Sequence, residues 1–222
     1  AQTELNEAFT VTVSGGSATV TEATELQGIT GYQATSSYDI VDSATLIAGS
    51  TDGILDHSGV ADVIANTQAN AAYGAILNDF SAEIEFNVTD TADAIIALSC
   101  DAQTELNEAF TVTVSGGSAS VSEAIELQGI TGYQDAASSY DIVDSASAIA
   151  GSSDGILDNS GIADVVADTQ ATAAIGAILN DFTAEIEFNV TDTADNIIAA
   201  LSGDASGLDE ADSINVSGGA IN

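Results

Sequence analysis

The side chains best suited to chemistry in this sequence are carboxylates in a glycine-containing turn that occurs twice. The stretch GSTDGILDHSG at residues 49–59 returns as GSSDGILDNSG at residues 151–161. Ca²⁺ prefers hard oxygen ligands, and a glycine lets the chain bend around the ion. The pattern therefore predicts a Ca²⁺ site in each copy, and the alternative is a plain Asp-Gly turn that holds no metal. The predicted ligands are Asp52, Asp56 and Ser58 in the first copy and Asp154, Asp158 and Ser160 in the second.

The overall charge strengthens the expectation of bound cations. The 222-residue chain has 35 Asp and Glu residues, no Lys or Arg, and a formal net charge of -35. Compensation must come from salt, divalent cations or a cationic partner, because the chain has no basic side chain to form an Arg or Lys ion pair. Phosphate contacts need basic groups, so a nucleic-acid partner is excluded. No apolar run approaches the ~20 residues of a membrane span, so we expect no membrane insertion.

Other candidate sites are fewer. Asn-x-Ser/Thr sequons predict possible glycosylation at Asn87, Asn189 and Asn215. The single histidine, His57, is replaced by Asn159 in the second copy, so we interpret it as a surface loop residue. No recognisable catalytic motif is present, and we expect that the protein is not an enzyme.

The sequence is a long repeat. Residues 1–101 form a first copy, residues 102–203 a second, and residues 204–222 the start of a third. The third copy begins with LDEADSINVSGGAI, which corresponds to LNEAFTVTVSGGSA near the start of the chain. Self-similarity of this kind is the first property to settle in a fold prediction.

A shorter period lies inside each copy. Segments such as YDIVDSATLIAG and EFNVTDTADAIIAL combine a short alternating strand, a small polar residue and an Ala-rich stretch. Phe86 and Val88 are expected to face inward, and Asp42, Thr67 and Asp90 to stand at helix starts as caps. The stretch GGSATVTEATEL after the first strand favours a second strand over a helix. We predict a repeat solenoid of four strand-plus-helix coils per copy, with a parallel sheet on one side. The alternative is tandem β-sandwich modules of immunoglobulin or cadherin type.

These short units resemble repeats of very large bacterial extracellular proteins of the surface-layer, adhesin and cell-surface motility type. The motif that carries the resemblance is a short strand followed by Asp-Thr-Ala-x-x-Ile, as in VTDTADAII. The resemblance implies an extracellular or cell-surface location and calcium dependence, and it implies no catalytic residues.

Repetition of one acidic face at a fixed interval suits a filament or lattice. Open strand edges at the two ends would pair with another subunit or with more of the same chain. We therefore expect an extracellular structural protein that builds a filament or surface layer by end-to-end self-association, stabilised by Ca²⁺. The alternative is a calcium-dependent adhesin stalk that presents a binding domain outside this chain.

Overall fold

A computed structural model describes residues 10–98, 102–202 and 207–218. The chain divides into two compact units. The first contains the chain up to Asp90 together with Ala97–Val112 and Ile130–Tyr133, and the second contains Thr91–Ile96, Thr113–Gly129 and the chain from Gln134. These units reflect packing, whereas the boundaries of the repeat copies are a property of the sequence.

Short strands and short helices alternate along the described chain. The strands are β1 (Ser14–Ala18), β2 (Ser37–Asp42), β3 (Val60–Ala65), β4 (Ile84–Glu85), β5 (Asn87–Asp90), β6 (Thr111–Ala119), β7 (Ser139–Asp144), β8 (Ile162–Ala167), β9 (Ile186–Glu187), β10 (Asn189–Asp192) and β11 (Ser213–Val216). The helices are α1 (Val20–Gln27), α2 (Ala44–Ala48), α3 (Asp52–Leu55), α4 (Ala71–Asn78), α5 (Ala92–Ile96), α6 (Ala102–Glu105), α7 (Val121–Gln128), α8 (Ala146–Ala150), α9 (Asp154–Leu157), α10 (Ala173–Leu179) and α11 (Ala194–Leu201). A 3₁₀ turn covers Asp135–Ala137.

The strands form parallel sheets in which neighbours in space are neighbours in sequence. The sheets run β1-β2-β3-β4, β5-β6-β7-β8-β9 and β10-β11, and the strand pairings described are parallel. Parallel neighbours need a crossover, which helices usually provide. The predicted α/β architecture of strand-plus-helix units is therefore confirmed. The β-sandwich alternative needs antiparallel sheets, which these pairings do not make.

Strand alternation places the core as predicted. Phe86 and Val88 are 1% and 0% exposed, whereas Asn87 and Thr89 between and after them are partly exposed. Tyr38 and Ile40 on β2 are buried in the same way. In β2 and β5, one face of the strand is therefore buried and the other is at least partly exposed to solvent.

The prediction that Asp42, Thr67 and Asp90 cap the helices that follow them is wrong. Helix α2 is capped by Ser43, whose Oγ accepts from Leu46 N. Asp42 instead accepts from the first amide of the preceding helix, through Oδ2 and Val20 N at 3.1 Å. We call this series of contacts the strand-end ladder. Its acceptors, at 3.0 to 3.1 Å, are Asp42 for Val20, Thr67 for Ala44, Asp90 for Ala71, Asp144 for Val121, Thr169 for Ala146, and Asp192 for Ala173.

The expected second strand after β1 is also wrong, because this stretch forms helix α1. Thr19 and Glu22 make a capping box, in which each side chain accepts from the backbone N–H of the other. Two otherwise free amides are satisfied in this way, and this outweighs the β-branched residues of the stretch. Among the described residues, no helix has the length and apolar character needed to cross a membrane.

Candidate functional site

The predicted ligands of the first copy point in two directions. Asp52 lies in the first turn of α3, and its Oδ1 accepts from both the backbone N and the Oγ of Ser81, each at 2.9 Å. Asp154 makes the same two bonds with Thr183, also at 2.9 Å. The Ser-to-Thr difference between the copies preserves this hydroxyl donor. Asp52 and Asp154 therefore fasten one coil to the loop before the next strand.

Asp56 and Ser58 lie instead in an open groove on the solvent face of the sheet. The groove has a volume of about 290 Å³, and three further carboxylates line it. We call it acidic groove 1 and define it by Asp56, Ser58, Asp62, Glu83 and Glu85. All five residues are exposed. Two of the residues that define the groove, Asp56 and Ser58, are predicted ligands.

The second copy forms a matching groove of about 250 Å³. Acidic groove 2 is defined by Asp158, Asp164, Glu185 and Glu187. Ser160, the predicted ligand that corresponds to Ser58, is exposed but does not line this groove. The carboxylates therefore recur in the same arrangement, while the serine does not.

Each groove brings four carboxylates together. Neighbouring strands lie about 4.8 Å apart, so acids on adjacent strands repel one another. In the described part of the chain, no group of three or more His, Cys, Asp or Glu side chains is close enough to hold a metal ion. A Ca²⁺ cage needs six to eight converging oxygens. The two Ca²⁺ sites stay a prediction from the sequence.

His57 and Asn159 do the same structural work, which explains their exchange between copies. His57 Nδ1 accepts from Gly59 N at 3.3 Å, and Asn159 Oδ1 accepts from Gly161 N at 2.9 Å. The His57 ring also meets Tyr32 edge-on, with centroids 5.3 Å apart. Both side chains close a tight turn as an acceptor two residues before a glycine.

The sequons differ in the accessibility of their side chains. Asn87 Oδ1 accepts from Thr111 Oγ1 at 2.6 Å, and Asn189 Oδ1 accepts from Ser213 Oγ. Both asparagines are partly buried, whereas Asn215 is exposed on β11. Asn215 therefore has the most exposed side chain of the three predicted glycosylation sites.

The sequence prediction missed a socket that receives the start of the next copy. Socket 1 consists of Gly74, Asn78, Phe86 and Val88. Leu106 is fully buried there. A Cβ on Gly74 would lie 2.7 Å from Val88 Cγ2 and 2.9 Å from Leu106 Cδ2, so a larger residue would require both side chains to shift.

Main-chain bonds complete the junction at socket 1. Glu108 N donates to Asn78 Oδ1 at 3.0 Å, and Phe110 N donates to Phe86 O at 2.8 Å. The segment that fills the socket, docking segment 1, is Leu106–Val114. The only signal for it in the sequence was its recurrence at the start of each copy.

The same junction forms again in the second unit. Socket 2 consists of Gly176, Asn180, Phe188 and Val190, and docking segment 2 is Leu208–Val216. Leu208 is 2% exposed, and a Cβ on Gly176 would lie 2.8 Å from its Cδ2. Glu210 N donates to Asn180 Oδ1 at 3.0 Å, and Asp212 N donates to Phe188 O at 2.9 Å. The two junctions are thus equivalent contact by contact.

These features define a class of protein, an α/β repeat with parallel sheets, acidic grooves and a recurring junction between copies. Comparison with protein-family models, curated proteins and solved structures finds no match. The resemblance to bacterial surface-protein repeats therefore stays a prediction from the sequence.

Proposed function

We propose that this chain is an extracellular structural repeat protein, a solenoid that builds a filament or surface layer by end-to-end association. The observation that carries the proposal is the recurrence of one junction. Each socket receives a leucine, a backbone donor to an asparagine and a parallel strand from the next copy. A junction that repeats with the same contacts can add units in one direction, as in solenoid arrays.

Cations have a defined place in this proposal. Groove carboxylates on every copy repel one another, and association brings further copies of the same charge together. Ca²⁺ held in acidic grooves 1 and 2 lowers that repulsion. We therefore expect divalent cations to promote association more strongly than monovalent salt of equal ionic strength.

Sedimentation velocity and negative-stain electron microscopy of the purified chain test the proposal. At fixed ionic strength, we expect linear oligomers that lengthen with protein concentration and with millimolar Ca²⁺. A chelator should shorten them. The variant Glu83→Gln/Glu85→Gln/Glu185→Gln/Glu187→Gln should lose the Ca²⁺ response and keep some association. Glu25→Gln/Glu126→Gln, which removes charge from helices α1 and α7, is the control.

A chain that stays monomeric at about 100 μM, with and without Ca²⁺, would contradict end-to-end association. Monomeric rods that melt at a higher temperature with Ca²⁺ would favour the alternative, a calcium-dependent adhesin stalk that presents a binding domain outside this chain.

A further inference from the structure

We propose that the segment Leu5–Val13 of one chain inserts into socket 2 of a second, identical chain. There it displaces docking segment 2 of that second chain. This inference deepens the proposed function, since it names the surfaces through which two chains associate. The occupant is a strand donated by an identical chain, a mode of recognition in which main-chain hydrogen bonds provide affinity and side-chain pockets provide specificity.

Sequence identity specifies the occupant. Residues 5–13 read LNEAFTVTV, and docking segment 1 at residues 106–114 reads LNEAFTVTV as well. The structure shows this sequence seated in socket 1, with Leu106 fully buried. Socket 2 repeats socket 1 residue for residue: Gly176 for Gly74, Asn180 for Asn78, Phe188 for Phe86 and Val190 for Val88. A segment that fits socket 1 therefore has the side chains to fit socket 2.

Docking segment 2 is a weaker occupant on grounds of charge. Its sequence, LDEADSINV, contains three carboxylates, whereas LNEAFTVTV contains one. On a chain of formal charge -35, each added carboxylate is repelled by the rest of the molecule. Exchange of the segments removes two negative charges from the neighbourhood of socket 2.

Strand propensity favours the same exchange. Asn215 interrupts the β-branched run that Thr12 continues in Leu5–Val13, and asparagine is disfavoured in strands.

The existing pairing fixes the register of the exchanged strand. β10 and β11 pair Asn189 with Ser213 and Val190 with Ile214. In the exchanged complex, Thr10 stands opposite Asn189 and Val11 opposite Val190. Thr10 then donates to Asn189 Oδ1, as Thr111 Oγ1 donates to Asn87 Oδ1 at 2.6 Å.

A peptide competition with the full 222-residue chain tests the inference. A fluorescent peptide of sequence LNEAFTVTV is titrated with the chain, and binding is followed by anisotropy. We expect saturable binding that weakens at least about tenfold when the peptide leucine becomes alanine, because that side chain fills a closed pocket. The peptide LDEADSINV should bind less tightly at low salt, and the gap should narrow at high salt. No binding, or equal binding by the alanine peptide, would overturn the inference.

Variants of the chain locate the binding. Gly176→Ala should weaken peptide binding, because its Cβ would lie 2.8 Å from Val190 Cγ2 and 2.8 Å from the position that Leu208 Cδ2 holds in the resident segment. Gly155→Ala is the matched control, since its Cβ would meet nothing within 4 Å. Circular dichroism checks that both variants fold. If Gly176→Ala does not fold, Leu208→Ala replaces it as the test. Leu208→Ala should raise the affinity for the peptide, because it weakens the binding of docking segment 2 to socket 2. Leu46→Ala, at an exposed helix position, is the control and should leave the affinity unchanged.

Unchanged binding by Leu208→Ala would overturn the assignment to socket 2. Loss of binding through Gly74→Ala, with Gly176→Ala still competent, would move the peptide to socket 1 and overturn it too. Failure of this inference can be distinguished from failure of the proposed function. Oligomers without peptide binding would leave end-to-end association standing through another surface, and peptide binding without oligomers would keep the socket but reject the filament.

Discussion

Asp42 provides the sharpest test of how the coils are held in register. Its Oδ2 accepts from Val20 N at 3.1 Å and its Oδ1 from Ser43 N at 2.8 Å, and the residue is 9% exposed. Asp42→Ala removes both acceptors and leaves two backbone donors without partners. A hydrogen bond to a charged group contributes about 1.5–3 kcal/mol. Removal of one negative charge offsets part of the loss of two such bonds, and we expect a loss of about 3 kcal/mol.

Asp42→Thr distinguishes the hydrogen bond from the charge. Thr67 fills the same position in the next coil, where its Oγ1 accepts from Ala44 N at 3.1 Å. A threonine at 42 restores one of the two acceptors without a charge, so the loss should fall to about 1.5 kcal/mol. Asp62→Ala removes an exposed acid from acidic groove 1 and should leave the stability unchanged or slightly higher.

Urea unfolding followed by circular dichroism measures the global effect, and hydrogen exchange measures the local one. The Val20 amide should be protected in the unmodified chain and should exchange faster in Asp42→Ala, before global unfolding. The reasoning is refuted if Asp42→Ala costs no more than Asp62→Ala, or if Val20 exchange is the same in both.

Three further predictions concern single sites. His57→Asn installs the residue of the second copy and should change the free energy of unfolding by less than about 0.5 kcal/mol, which urea melts would detect. Hydrogen bonds from the Asn196 side chain and from two backbone amides lower the pKa of Asp192 from its ordinary 3.8. The resulting stability is present above pH 3.8 and is lost as the pH falls through the lowered pKa, so Asn196→Ala should move the acid-unfolding midpoint, followed by circular dichroism, to higher pH. Gly74→Ala places a Cβ 2.7 Å from Val88 Cγ2 and 2.9 Å from Leu106 Cδ2, and the higher helix propensity of alanine offsets part of this overpacking; we expect a net loss of about 1 kcal/mol in a thermal melt, and a gain in stability would contradict the socket.

The local sequence pattern predicted most strands and helices, but it did not predict which distant residues form hydrogen bonds with one another. Alternation placed Phe86 and Val88 inside because a strand has a period of two. The side chain of Asp42 bonds an amide 22 residues earlier, and no local rule identifies which helix start lies beside a strand end. The helix after β1 has its sequence signal in Thr19 and Glu22. The capping box that they form outweighs the strand propensity of the β-branched residues in this stretch.

The candidate site shows the same limit. The Asp-Gly turn places Asp56 beside the groove, whereas Asp52 accepts a hydrogen bond from Ser81, 29 residues later. The acid Glu85 reached the sheet face beside the turn through strand register, which pairs it with Ile64 of β3. Register depends on how neighbouring strands pair, and a single sequence specifies it only after the fold is known.

The repulsion between the acids of this chain is reduced in two different ways. The carboxylates of the strand-end ladder, such as Asp42 and Asp144, accept from amides at helix starts, where the helix dipole leaves partial positive charge. Those acids need no cation. The carboxylates of acidic grooves 1 and 2 have no such partner in the lining that defines the grooves, so their repulsion falls only when ions enter from solvent. Added salt should therefore raise the melting temperature of the unmodified chain and of Asp42→Ala by similar amounts. Added salt should produce a smaller rise in the melting temperature of a chain whose groove glutamates are changed to glutamine. An equal response of all three proteins would mean that the salt acts on the chain as a whole rather than at the grooves.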